Sequence, residues 1–142
     1  MKIILQPCAN KDAKDHFQKT IRNSIGSEDI VIWGVKKNNK EKWRTLREGD
    51  LVLFSANRRF FSKGTIVATM HNQSLARRLW KIDEEDDQTW EYIYFMSDSG
   101  EIDKGVAQLN ETMGYKENYN IRSFQIIDDP VNVAEIVRML ST

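Results

Sequence analysis

Two apolar runs set close together, Leu51–Phe54 and Thr65–Met70, limit what this chain can fold into. Each is short, and Leu46-Arg-Glu-Gly-Asp50 forms a turn leading into the first. Runs of this length read as buried strands, so the chain is built on a sheet. Between them, Ser55–Lys63 reads as a polar connection carrying two arginines and two phenylalanines. Thr89–Met96 is the clearest strand, because it alternates in part and is rich in aromatics, and Ser97–Gly100 is expected to turn it.

Around this centre the remaining elements follow in order. Lys2–Gln6 reads as a strand stopped by Pro7, and a helix with Ala13, Phe17 and Ile21 on one face is expected to end at Gly26. Ser27–Gly34 gives a second strand with Trp33 at its end and the glycine after it, and Val35–Glu48 reads as a basic loop or short helix. Asn72 or Ser74 caps a helix through Leu75, Ala76, Leu79 and Trp80. Val106, Leu109 and Met113 mark a helix ended by Gly114, Asn120–Ile127 a last strand, and Asp128-Asp129-Pro130 the start of a terminal helix. About six strands with interspersed helices predict an α+β domain: a small, partly closed mixed barrel with flanking helices.

Length and composition fit one domain over residues 1–142. No run approaches the roughly 18 apolar residues of a membrane span, and the N-terminal apolar segment is too short for a signal peptide, so a cytoplasmic location is expected. Cys8 is the single cysteine, which excludes an intrachain disulfide and a cysteine-based zinc site. No cofactor or metal is expected. Neither His16 nor His71 sits in a nucleophile motif, and the seven glycines are too dispersed for a phosphate-binding loop, so this chain is not read as an enzyme.

The formal charge is zero but unevenly spread. Lys36–Lys81 holds twelve Lys or Arg against Glu41, Glu48 and Asp50, a net +9, which leaves −9 on the rest. One basic segment in an acidic chain suits an anionic partner such as nucleic acid. The acidic run Asp83–Asp87 reads as a solvated connection, since five like charges in a row repel one another. Of the four tryptophans, Trp33 and Trp80 each close an element. Such a ring is either boundary core or a wall of a flat, desolvated slot, where an extruded base is held by stacking.

The ordered set Ile32-Trp33-Gly34, Trp43…Leu46…Gly49-Asp50-Leu-Val-Leu-Phe-Ser55, Phe60-Phe61…Gly64-Thr-Ile-Val, Leu75-Ala-Arg-Arg-Leu-Trp80 and Trp90-Glu-Tyr-Ile-Tyr-Phe95 resembles the EVE and YTH domains of the PUA-like superfamily. It is most similar to the versions at the N-termini of McrB-type, modification-dependent (type IV) restriction proteins. The resemblance implies a reader of 5-methylcytosine or N6-methyladenine that flips the base into an aromatic cage. It places Trp33 and Trp80 in the cage, Ser55 and Asn57 at the base edge, and Trp90 or Phe60 as a further wall. Lys36, Lys37, Arg58, Arg59, Lys63, Arg77 and Arg78 would contact the backbone.

The implied partner is double-stranded DNA carrying a modified base, and no membrane. The chain lacks a Walker A loop and nuclease motifs, so any GTPase or nuclease would lie in a downstream region or a partner subunit. The domain would then be the N-terminal module of a longer protein. A YTH-like reader of modified RNA and a binder of unmodified DNA are the alternatives, with a protein-interaction or small-ligand domain as the reading of another class.

Overall fold

The computed structural model describes residues 1–8, 30–80, 82–83 and 86–142. The helix expected over Ala13, Phe17 and Ile21 lies outside the described residues. The described elements are β1 (Ile3–Pro7), β2 (Val31–Val35), a 3₁₀ turn (Lys37–Asn39), α1 (Lys40–Trp43), β3 (Leu51–Ala56), β4 (Arg59–His71), α2 (Gln73–Trp80), β5 (Tyr92–Gly105), α3 (Val106–Met113), β6 (Gln125–Ile127) and α4 (Pro130–Leu140). They form one mixed sheet in the order β2-β5-β4-β3-β1-β6, with β1 parallel to β3 and every other pair antiparallel.

Ser55–Lys63 is not a connection, contrary to the sequence expectation. Ala56 pairs with Arg59, and Asn57 and Arg58 form a two-residue turn with φ of 51° and 61°. Positive φ at both central positions gives the turn a twist that matches the flanking strands, so the chain reverses at once. β4 therefore starts at Arg59 and alternates, burying Phe60, Ser62, Gly64 and Ile66. Ser97–Gly100 is not a turn either: β5 runs through it to Gly105. Register shifts at Phe60/Ser62, Lys63/Thr65 and Ile66/Ala68 absorb the irregularity as bulges, which bend the long β4–β5 pair.

That bend curls the sheet toward a barrel without closing it. Trp33 on β2 meets Phe54 on β3 edge to face, with centroids 6.0 Å apart, although β5 and β4 lie between them in the sheet. The Tyr94 hydroxyl on β5 likewise donates to Gln6 Oε1 on β1 across the interior, at 2.8 Å. Burial drives the Tyr94 pKa well above that of a free phenol, which keeps it a donor. Ile4, Val52, Phe54, Ile66, Tyr92, Tyr94 and Met96 line this interior with Trp33. On the opposite face α3, through Val106 and Leu109, and α4, through Ile136 and Met139, cover Leu53 and Phe60, and α2 covers Ile32 and Ile93 with Ala76 and Trp80.

The helix ends follow the signals read from sequence. Asp129 caps α4 by accepting from the Val131 and Asn132 amides, with Pro130 in the first turn. Gly114 ends α3 in the left-handed conformation.

Asp50 joins the turn before β3 to the start of β1. Its carboxylate accepts from the Lys2 amide (2.9 Å) and the Arg47 amide (2.8 Å) and pairs with the Lys2 ammonium (2.8 Å). Burial pushes its pKa up, but these donors outweigh that effect and hold it below the usual carboxylate value. Asp50→Ala is expected to cost about 2–3 kcal/mol in urea unfolding, because three donors lose a charged acceptor. A lowered carboxylate pKa stabilises above about pH 4 and ceases to do so as pH falls through the folded value. The acid-unfolding midpoint of the variant should accordingly lose this component while its neutral-pH deficit persists.

Candidate nucleic-acid interface

Gly34 organises the region where the tryptophans meet. It sits on the edge strand β2 opposite Ile93. A Cβ at this position would fall 2.4 Å from the Trp90 carbonyl oxygen and 3.0 Å from Trp80 Cζ3. Only glycine lets the end of α2 and the segment before β5 approach the strand so closely. Alternation turns Trp33 to the barrel interior, and α2 carries Trp80 to the outer face. The two indoles still touch around the strand edge, with centroids 6.1 Å apart and planes at 67°. They form a corner and not a parallel slot. Both are nearly covered, with Trp33 6% and Trp80 5% exposed. Trp90 is half-buried and packs with the Trp80 cluster.

Lys36 reaches this corner from the end of β2. Its ammonium lies 5.0 Å from the Trp90 ring centroid. It also donates to Asp83 Oδ2 at 2.6 Å and Asp86 Oδ2 at 2.8 Å. Burial lowers its pKa, but the hydrogen bonds and charges of Asp83 and Asp86 outweigh that effect, and the value lies above that of an ordinary lysine. The hydrogen bond from Lys36 holds Asp86 below the usual carboxylate range. Two carboxylates of the acidic run are thus in contact with the basic segment, and do not simply lie in solvent as read from sequence. Nothing in the local pattern signalled this, because the partners are 47 and 50 residues apart.

The expected backbone-contact residues divide into two groups. Lys36 contacts the tryptophan corner and Lys37 follows it in the chain, while Arg77 and Arg78 lie on the exposed side of α2, which buries Ala76 and Trp80. Arg58, Arg59 and Lys63 lie in the half of the β4–β5 pair remote from α2. There Arg58 donates to the Asn118 and Glu117 carbonyls (3.0 and 3.1 Å), and Arg59 pairs with Asp103 at 2.6 Å. Arg58 therefore holds the loop after α3, together with Asn110, whose buried amide donates to the Glu117 and Tyr119 carbonyls.

Three expected members of the pocket do not meet the corner as the resemblance implied. Phe60 is fully buried under α3 and α4 with Leu53, Val106 and Leu109, so it is core on the other face of the sheet and not a wall. Ser55 is buried and paired with Phe60, which turns it to that same face. Asn57 is an exposed turn residue whose positive φ serves the hairpin. Trp43, part of the motif set but assigned no role from sequence, donates from Nε1 to the Ile93 carbonyl at 3.0 Å and packs its ring on Tyr92 at 5.2 Å. It anchors α1 to β5. Tyr92 in turn is stacked by His71, with centroids 4.5 Å apart and planes 9° from parallel.

No family model matches the chain, and no curated protein does so by sequence. Solved structures do match in three dimensions. The YTH domain of Pho92, in complex with m6A, aligns at a TM-score of 0.62 with 16% identity, covering 99% of this chain and 86% of that one. The YTH domain of Zygosaccharomyces rouxii MRB1, in complex with N6-methyladenosine RNA, aligns at 0.61 with 17% identity, covering 98% and 86%. The Mmi1 YTH domain in complex with RNA aligns at 0.55 with 12% identity, covering 99% and 77%. The fold is therefore that of YTH domains, an α+β architecture with one mixed six-stranded sheet. No helix among the described residues is long and apolar enough to cross a membrane.

The close approach at Gly34 gives a direct check on this geometry. Gly34→Ala is expected to destabilise by about 1–3 kcal/mol through overpacking. Because the nearest obstacle is backbone, the change should also shift tryptophan fluorescence as Trp80 and Trp90 are displaced.

Proposed function

We propose that this chain is a binding module that reads a methylated base, N6-methyladenine in RNA, at the corner formed by Trp33, Trp80 and Trp90. The observation that carries the reading is the contact of the Trp33 and Trp80 indoles beside Gly34, with Trp90 packed in the Trp80 cluster, Lys36 over the Trp90 ring, and Arg77 and Arg78 exposed on the helix that ends in Trp80. The RNA form is favoured because two structural neighbours of this fold are complexes with m6A or N6-methyladenosine RNA.

The chemistry is that of a desolvated aromatic surface. An unpaired base stacks on an aromatic face for about 1–3 kcal/mol. A methyl group seated in an apolar corner adds discrimination of about 1–3 kcal/mol. The inclined rings suit a base stacked on one indole with its methyl group against another, and suit a sandwich less well. Since Trp33 and Trp80 are nearly covered, a ring must swing aside before a base can enter. Single-stranded RNA avoids the cost of unpairing that a duplex imposes. The arginines on α2 and the lysines after β2 then hold the phosphates. The module acts by binding, with no catalytic step assigned to it.

Methylated duplex DNA is the second reading. It rests on the ordered motif set, which resembles the N-terminal modules of McrB-type restriction proteins. In that setting this domain would direct a GTPase or nuclease carried by a downstream region or a partner subunit.

Fluorescence anisotropy on matched oligonucleotides separates these readings. N6-methyladenosine RNA is expected to bind at least about tenfold tighter than unmethylated RNA, a difference of about 1.4 kcal/mol. Tighter binding of duplexes with 5-methylcytosine or N6-methyladenine than of methylated RNA would support the second reading, and indifference to methylation in both would overturn both. In Trp33→Leu, checked for folding by circular dichroism, the methylation preference should be lost. Arg77→Ala with Arg78→Ala should instead weaken methylated and unmethylated RNA alike. The salt slope should fall by about 0.7 for each phosphate contact removed.

A further inference from the structure

Asp83 and Asp86 both contact the Lys36 ammonium, which lies 5.0 Å from the Trp90 ring centroid. Asp83 bridges to Gln88, the Asp83 amide donating to the Gln88 carbonyl at 2.8 Å. The Asp87 amide donates to the Asp83 carbonyl at 2.9 Å, and Asp87 takes a positive φ of 58°. Asp86 Oδ1 accepts from the Gln88 amide at 3.0 Å. This folding back leaves one oxygen of each carboxylate to converge on the Lys36 ammonium.

A lysine has three donors, and a phosphodiester offers a single negative charge on two oxygens. The Asp83–Asp86 pair presents the same kind of oxygen ligand with two charges. While it is in place, both carboxylates hold the Lys36 ammonium and compete with an incoming phosphate for it. The same contact holds the Lys36 stem against Trp90, a ring of the proposed corner. In sequence the acidic run follows directly on the +9 segment, so it is tethered where it can compete for that segment.

We propose that the paired carboxylates of Asp83 and Asp86 are an intramolecular mimic of the nucleic-acid backbone, which closes the reader site by clamping Lys36 and is displaced when RNA binds. This rests on the reader function proposed above. Lys36 is then the cation that contacts the phosphate next to the captured base, and its contribution is masked in the free protein. The pair sets a threshold: weak, non-specific RNA cannot displace it, and RNA that also delivers a methylated base can.

The test compares the wild-type chain, Asp83→Asn with Asp86→Asn, Lys36→Gln, and the triple variant on N6-methyladenosine RNA and its unmethylated counterpart at low salt. The acid-neutralised variant is expected to bind both RNAs about tenfold tighter, the gain shrinking as salt screens the charges. Lys36→Gln should cost more affinity in the neutralised background than in the wild type, because only there is the ammonium free beforehand. A folded neutralised variant with unchanged or weaker binding, beside a wild type that still prefers methylated RNA, would overturn the mimic and leave the reader standing. Absence of binding by every variant to every oligonucleotide would instead remove the reader reading, and the mimic with it. If the double variant does not fold, Asp86→Asn alone applies, since this carboxylate is 40% exposed. It is expected to tighten binding about threefold, and an unchanged affinity would overturn the proposal.

Discussion

The curl of the sheet is the constraint on which the rest of the structure depends. Six strands in the order β2-β5-β4-β3-β1-β6 could lie open, with β2 far from β1 and β3. They do not, because the long β4–β5 pair bends at its register shifts and brings inward-facing side chains into contact across the interior. Trp33 then reaches Phe54, and Tyr94 reaches Gln6. The second contact is polar and fully enclosed at the Tyr94 end. Leaving that hydroxyl or the Gln6 carbonyl without its partner would cost about 1–3 kcal/mol, so the pair specifies the curl as well as stabilising it.

The candidate interface is a consequence of this geometry. β2 remains an edge strand, and an edge is the one place where an inward-facing and an outward-facing residue can meet around the backbone. Trp33 and Trp80 do so, and Gly34 supplies the missing volume. The corner combines a rigid floor, set by the barrel core, with walls from α2 and from the segment before β5. Its electrostatics are similarly composite. The basic residues come from the stretch after β2 and from α2, while the opposing carboxylates come from the turn that joins α2 to β5. A charge count along the chain shows a basic segment, but the structure divides it. Arg58 and Arg59 are engaged with the loop after α3 and with Asp103, Lys36 with the acidic turn, and Arg77 and Arg78 extend from α2 on its exposed side.

The likeness to YTH domains at 12–17% identity shows how little sequence agreement this architecture requires. Many combinations of apolar residues fill such a core at the right volume and pattern, so identity falls while the arrangement of elements persists. The residues that do report on function are few, and they are legible only once their neighbours in space are known.

What the sequence by itself determined is the set of elements and their faces. The apolar runs of β3 and β4, the aromatic alternation of β5, the Asp129-Pro130 start of α4 and the Gly114 stop of α3 are local signals, and local backbone energetics acts on them directly. The α+β class could be read the same way. Only the tertiary structure decided that Asn57-Arg58 is a tight turn within a continuous hairpin, because any polar stretch can serve as a loop until its φ angles are set by the strands it joins. It also decided that Phe60 is core, that Trp90 belongs with Trp80, and that Asp83 and Asp86 hold Lys36. Each of these depends on which residues distant in the chain are brought within a few ångströms. Charge and packing act through space at that range, and the curl of the sheet, not the order of residues, sets those distances.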